Sequence, residues 1–324
     1  MLGANIGIDL GTTSIVAFVE GKGVVMSEPS AAAYEKESGK LLAVGKRAWD
    51  MIGKNPDSIR VVKPMEHGVV SDFTATKHIL KYILSKICKN MIFKPNVVIC
   101  VPSMATSLEK RTILDLVTSA GAAKACLIEE PLAAALGAGI KSTRPVGAMV
   151  VDIGGGTTKA AVLCYDGVVS ARTGRVAGDE FDRAIISHLR AAYGLIIGEQ
   201  SANAIKHRIG TAHPAIDRGT IQVSGRSVQN GLAITAEISS ADVAQALRKP
   251  ILRIIQLMRA ALEAAPPELS SDVFATGPVL CGESALLPGL SKVIANGIGM
   301  RVTTAAECGD CVVKGLQKAI DEGK

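Results

Sequence analysis

The chain has 324 residues, enough for two compact domains that each bury a core. Its composition is that of an ordinary globular protein, 48% hydrophobic and 3% aromatic, and no apolar run reaches the roughly 18 residues of a membrane-spanning helix. The formal net charge of +6 is spread along the chain, with no Lys/Arg block interleaved with aromatics, so no nucleic-acid partner is expected.

The opening MLGANIGIDLG lacks a basic segment followed by an apolar one, so no signal peptide is expected and the protein is placed in the cytoplasm. Seven cysteines, an odd number, read as reduced residues. Cys308 and Cys311 form a C-x-x-C pair without a second pair at zinc spacing, which reads as structural.

In chain order, NIGIDL and SIVAFVEG read as strands joined by a tight Gly-Thr-Thr turn, and a turn at Gly21-Lys22-Gly23 leads to a third, GVVM. Phe73, Thr76, Ile79, Leu80, Ile83, Leu84 and Ile87 mark one helix face. A strand at 97–101, a helix across 106–119, a strand at 125–128 and an Ala-rich helix from Pro131 follow. At 148 the opening pattern returns in AMVVDIGGGTTKAAVLCYDG, which predicts two related α/β halves. Helices are predicted at 179–193 and 200–209, then a β-leaning stretch at 218–238. A long helix carries Val243, Leu247, Ile251, Ile254, Ile255, Met258 and Leu262 and stops at Pro266-Pro267. A strand at 278–282, a helix through 285–296 and a terminal helix close the chain.

The paired hairpins, DLGTTS at 9–14 and DIGGGTT at 152–158, carry the chemistry. Glycines let successive N–H groups converge on one phosphate, where a Cβ would block the approach. Thr12, Thr13, Thr157 and Thr158 add hydroxyl donors. Asp9 and Asp152, each before its turn, are placed to hold Mg2+ through water. A single such turn is as well explained by an ordinary β-turn with Asp at its first position; the matched pair favours phosphate. There is no G-x-x-x-x-G-K-[ST] loop, which excludes a P-loop enzyme.

DLGTTS, VICVPS at 98–103, LIEEPLAAALGAG at 127–139, VVDIGGGTT at 150–158, RVAGDEFDRAI at 175–185 and PPEL at 266–269 resemble the MreB family of bacterial actins, in order along essentially the whole chain. The resemblance implies an α/β, actin-like ATPase fold, with two related halves, or four subdomains, around a nucleotide cleft. It implies a first half over 1–142, with a smaller subdomain at about 32–69 and the C-terminal helix 308–324 packing back on it. The second half is expected over 143–307, with a smaller subdomain at about 178–242. ATP or ADP and Mg2+ are the implied cofactors. Asp9, Gly11, Thr12, Thr13 and Ser14 resemble the first phosphate hairpin, and Asp152, Gly154, Gly155, Gly156 and Thr157 the second. Gly178 and Asp179 resemble the second connection across the cleft, Asn203 and Lys206 the ribose contact, and Gly282, Glu283, Ser284 and Ala285 the adenosine-side loop. Glu130 matches the residue that orients the attacking water; on the residues alone, Glu129-Glu130 reads rather as an acidic pair at a helix N-terminus.

The family pattern is broken at Lys159, where an acidic residue is usual, at Glu283 within a usual run of glycines, and at Asn203 in place of Glu. Nucleotide binding with slowed ATP hydrolysis is the expectation. Between a helix ending near Lys89 and the strand at 97, Met91, Ile92 and Phe93 are flanked by Lys89 and Lys94. They either enter a lipid surface, as the resemblance implies, or fold back into the core. The resemblance further implies antiparallel double protofilaments of the chain itself, peripheral at the inner face of the cell membrane, that guide the cell-wall elongation machinery and set cell shape. A hydrolysis-deficient filament partner, an actin-fold small-molecule kinase and a chaperone ATPase are the competing readings; the last two need a substrate pocket or a peptide-binding region that no segment supplies.

Overall fold

The structure, a computed structural model, describes residues 4–66, 69–89, 92–103, 105–140 and 145–322. Internal contacts divide the chain into two units, 1–145 with 163–171 and 310–324, and 146–162 with 172–309.

The first unit is built on a five-stranded sheet of β1 (Asn5–Leu10), β2 (Ser14–Val19), β3 (Gly23–Pro29), β4 (Asn96–Val101) and β5 (Lys124–Glu129), in the order β5-β4-β1-β2-β3. β1, β4 and β5 run parallel, while β1, β2 and β3 form an antiparallel meander. Its helices include α1 (Phe73–Ile87), α2 (Ser107–Ala120) and α3 (Glu130–Gly137). Ile6, Ile8 and Ile15 of the sheet share one core with Ile79, Leu80 and Ile83 of α1 and Leu116 of α2. Each such side chain taken fully out of water contributes roughly 1.5–3 kcal/mol. Phe73, predicted on the buried face of α1, is half exposed instead, because it is the first residue beyond the Asp72 cap. A three-stranded sheet of 32–35, 41–44 and 59–62 packs Ala31, Ala33, Ala43 and Ala48 into a satellite core.

The later part of the chain repeats the plan. β6 (Ala148–Ile153), β7 (Thr158–Cys164) and β8 (Gly167–Gly174) precede the helices α4 (Gly178–Tyr193), α5 (Glu199–Ile209), α6 (Ser240–Glu263) and α7 (Pro267–Thr276). β9 (Val279–Cys281), α8 (Leu290–Ile298) and β10 (Thr303–Thr304) follow. The sheet order β8-β7-β6-β9-β10 matches β3-β2-β1-β4-β5 strand for strand, and β6, β9 and β10 are parallel as β1, β4 and β5 are. A three-stranded sheet of 195–196, 220–227 and 233–239 lies in the β-leaning stretch. α6 runs through Pro250, which cannot donate to a carbonyl one turn back. Its buried stripe, Val243, Leu247, Ile251, Ile254 and Met258, holds the helix together across that gap.

The helix predicted through 285–296 is two pieces, a single 3-10 turn at Glu283–Leu286 and then α8. Pro288 cannot extend the first piece, and Gly289, at φ 78°, reverses the chain before the second.

The last helix, α9 (Cys311–Asp321), belongs to the first unit and lies against α3. A Cβ on Gly137 would fall 1.7 Å from the Cys311 carbonyl oxygen, and one on Gly315 equally close to that of Ala133. The two helices therefore meet backbone to backbone. Lys318 Nζ adds a hydrogen bond to the Leu136 carbonyl at 2.7 Å, clamping the helix whose first turn carries Glu130.

Candidate phosphate-binding hairpins

Asp9 stands at the end of β1, half buried, and Gly11, Thr12 and Thr13 turn the chain into Ser14 of β2. The Gly11 N–H donates to the Ser14 carbonyl at 3.0 Å. A Cβ on Gly11 would sit 2.5 Å from that oxygen, so glycine is required there. The Ser30 N–H donates to the Thr13 carbonyl at 2.8 Å and fixes the outer side of the turn. The Thr13 hydroxyl oxygen is buried and has no hydrogen-bond partner among the described residues. Buried hydroxyls are rarely left so, and one at a glycine turn is suited to an incoming acceptor.

The second turn is closed in the same way, the Gly154 N–H donating to the Thr157 carbonyl at 3.0 Å. Here the surroundings are denser. The Gly154 carbonyl accepts from the Gly178 N–H at 3.2 Å and from Ser284 Oγ at 2.7 Å, and the Gly155 carbonyl accepts from the Asp179 N–H at 2.7 Å. α4 has no side-chain N-cap; the hairpin's carbonyls take the place of one. Gly178 and Asp179 thus grip the hairpin through their backbone N–H groups. Ser284 Oγ would lie 2.7 Å from a Cβ on Gly178, so a larger residue there would have to displace the Ser284 hydroxyl from the Gly154 carbonyl.

Asp152 and Lys159 are both buried, in β6 and β7. Gly282 presses its backbone on Asp152: a Cβ there would meet Oδ1 at 2.3 Å, and its φ of 86° favours glycine independently. The Gly282 N–H donates to the Cys308 carbonyl at 2.8 Å, and the buried Cys308 thiol donates to the carbonyls of Leu280 and Gly282. These bonds give Cys308 a structural part in seating Gly282. Ala285 is buried, its N–H held by the Gly282 carbonyl, while Glu283 points outward and is exposed.

Lys206 and Asn203, one turn apart on α5, converge on Asp182 of α4. Lys206 Nζ lies 2.8 Å from Asp182 Oδ1 and donates to the Gly178 carbonyl at 3.1 Å; Asn203 Nδ2 donates to Asp182 Oδ2 at 3.2 Å. The ion pair is only about a tenth exposed on either side. Asp182 is the residue that sequence reasoning missed. Its signal was there, since it falls one helical turn after Gly178, and Lys206, a donor-only side chain, needs an acceptor to meet it.

Glu130 stands in the first turn of α3 beside Pro131, and Glu129, which ends β5, pairs with Lys110 at 3.7 Å. Ile92 is 92% and Phe93 54% exposed, so neither folds into the core; Met91 lies outside the described residues.

The profile of the MreB/Mbl protein family matches residues 3–324. The chain belongs to the MreB/Mbl family. It is 39% identical over 322 residues to the cell shape-determining protein Mbl of Bacillus subtilis, covering 99% of this chain and 97% of that one. Against the cell shape-determining protein MreB of Escherichia coli it is 39% identical over 327 residues, covering 99% and 94%. Its fold superimposes on MreB5 of Spiroplasma citri bound to ADP with a TM-score of 0.93 and 34% identity, over 99% of this chain and 97% of that one. The expected actin-like α/β fold and family are thereby established, and the MreB/Mbl chain is a bacterial actin homologue of the cell-shape class.

Proposed function

We propose that this MreB/Mbl protein binds ATP and ADP through its two Gly-Thr hairpins and polymerises into antiparallel double protofilaments at the inner face of the cell membrane, where they guide cell-wall synthesis. The carrying observation is the matched pair of turns, closed by the same hydrogen bond at the ends of matching strands, with the buried Thr13 hydroxyl directed to no protein partner among the described residues. That MreB5 of Spiroplasma citri was crystallised with ADP supports the nucleotide, and the relatives' role in cell shape supports the cellular task. Lys206 and Asn203 brace Asp182 and the start of α4, which in turn hold the second hairpin. Glu130 supplies the carboxylate that orients water for hydrolysis, which this chain performs slowly.

The donor set does not fit Mg2+ at Asp152. That carboxylate is buried against the Gly282 backbone. Mg2+ keeps several waters and needs space for them. No step of this reading runs through the metal.

No helix among the described residues is long and apolar enough to cross a membrane. Peripheral attachment through Ile92 and Phe93, set between Lys89 and Lys94, supplies apolar insertion and attraction to anionic headgroups together. Electron microscopy with ATP and anionic vesicles tests the proposal: paired filaments lying on the vesicles are expected, and a protein that neither binds nucleotide nor polymerises overturns it. Ile92→Ser with Phe93→Ser is expected to abolish vesicle co-sedimentation while nucleotide binding persists; undiminished co-sedimentation removes the loop from the proposal.

A further inference from the structure

We propose that Lys159 is a built-in counter-ion of the second hairpin, supplying to Asp152 and to a bound phosphate the positive charge that a divalent cation would otherwise bring, so that nucleotide is held with little dependence on magnesium. This rests on the reading of the hairpins as phosphate sites.

The register carries the argument. In the first hairpin the Gly11–Ser14 hydrogen bond is followed by Leu10 opposite Ile15 and Asp9 opposite Val16. The second turn has the same length and the same closing bond, Gly154 to Thr157, between neighbouring strands of its sheet. Carried over, that register sets Ile153 opposite Thr158 and Asp152 opposite Lys159. Directly opposed residues share a sheet face with their Cβ atoms about 4.5–5.5 Å apart. Asp152 is 7% exposed and Lys159 9%. A buried ammonium is tolerated where an anion compensates it, and a buried carboxylate requires the converse.

Space points the same way. On the β9 side of Asp152 the Gly282 backbone leaves too little room even for a Cβ, and hence none for a hydrated metal. On the register carried over from the first hairpin, the β7 side is taken by Lys159. Its ammonium has three donors, enough to serve Asp152 and a phosphate oxygen at once. The hairpin fold does not need a lysine there, since Val16 occupies the matching place in the first hairpin.

The test is a titration of the full-length protein with a fluorescent ATP analogue and with ADP, each in excess Mg2+ and in excess EDTA. Dissociation constants within about threefold of each other are expected, whereas Lys159→Gln weakens binding in EDTA by roughly tenfold or more. Binding that appears only with Mg2+ overturns the counter-ion proposal and leaves the nucleotide reading standing. Absence of binding in both buffers overturns the nucleotide reading and this proposal with it. Lys159→Gln binding as tightly as the unmodified chain in EDTA also overturns it. Should that variant fail to fold, the paired titrations of the unmodified chain decide.

Discussion

The first hairpin is held by its own strands: Gly11 closes on Ser14, and Ser30 at the end of β3 secures Thr13. The second is held from outside, by the N-terminus of α4, by Ser284 beyond β9 and by the Gly282 backbone against Asp152. One turn geometry is thus supported in two ways. In the first hairpin the glycine itself is the constraint, whereas in the second it is the set of helices and loops gathered behind the turn. The difference extends to charge, since valine in β2 is matched by a buried lysine in β7.

The largest expected effect lies in that outside support. Lys206→Met leaves the buried Asp182 carboxylate with the Asn203 amide as its remaining side-chain donor. Removing one partner of a buried ion pair costs about 3–5 kcal/mol. Chemical denaturation is expected to show a loss of that size, and nucleotide affinity should fall with it as α4 loses its grip on Gly154 and Gly155. A loss below about 1 kcal/mol, the range of exposed pairs, would show that the second hairpin does not depend on this buried pair.

The next test sets the two glycines against each other. Gly11→Ala brings a Cβ to 2.5 Å from backbone, whereas Gly154→Ala brings one to 3.4 Å from the Thr157 carbonyl, an ordinary contact. Overpacking against backbone costs about 1–3 kcal/mol, so Gly11→Ala should lower the melting temperature clearly and Gly154→Ala by less than half as much. Equal losses would mean that both turns are self-supporting. The reverse order would contradict the comparison outright.

Much of this was legible because it is local. The Gly-Thr turns, the returning strand pattern at 148 and the stripes of α1 and α6 depend on residues a few positions apart, where period and turn chemistry act directly. The points that were not legible depend on contacts between elements. Asp182 gains its meaning only when α5 lies beside α4 and delivers Lys206 and Asn203. Pro250 does not break α6 because packing outweighs one lost hydrogen bond, and the break at Pro288-Gly289 is secured by Ala212 and Thr211 donating to the Pro288 carbonyl. Ile92 and Phe93 were undecidable from composition, since apolar residues in a short connection are explained equally by core or by surface; their exposure removes the first alternative.

The smallest expected effect concerns Ser284. Its hydroxyl is one of two donors to the Gly154 carbonyl, the other being the Gly178 N–H. Ser284→Ala removes one hydrogen bond but leaves that oxygen satisfied, so the expected cost is about 0.5–1.5 kcal/mol without an added desolvation penalty. The first hairpin has a backbone donor, Ser30 N–H, on its Thr13 carbonyl, and side-chain truncation there removes no such bond. Ser30→Ala therefore serves as the matched control, its buried hydroxyl having no hydrogen-bond partner among the described residues. Thermal melts of the two variants should separate, Ser284→Ala falling below Ser30→Ala. If they coincide, the Gly178 N–H alone holds the carbonyl, and the outside support of the second hairpin reduces to the helix terminus.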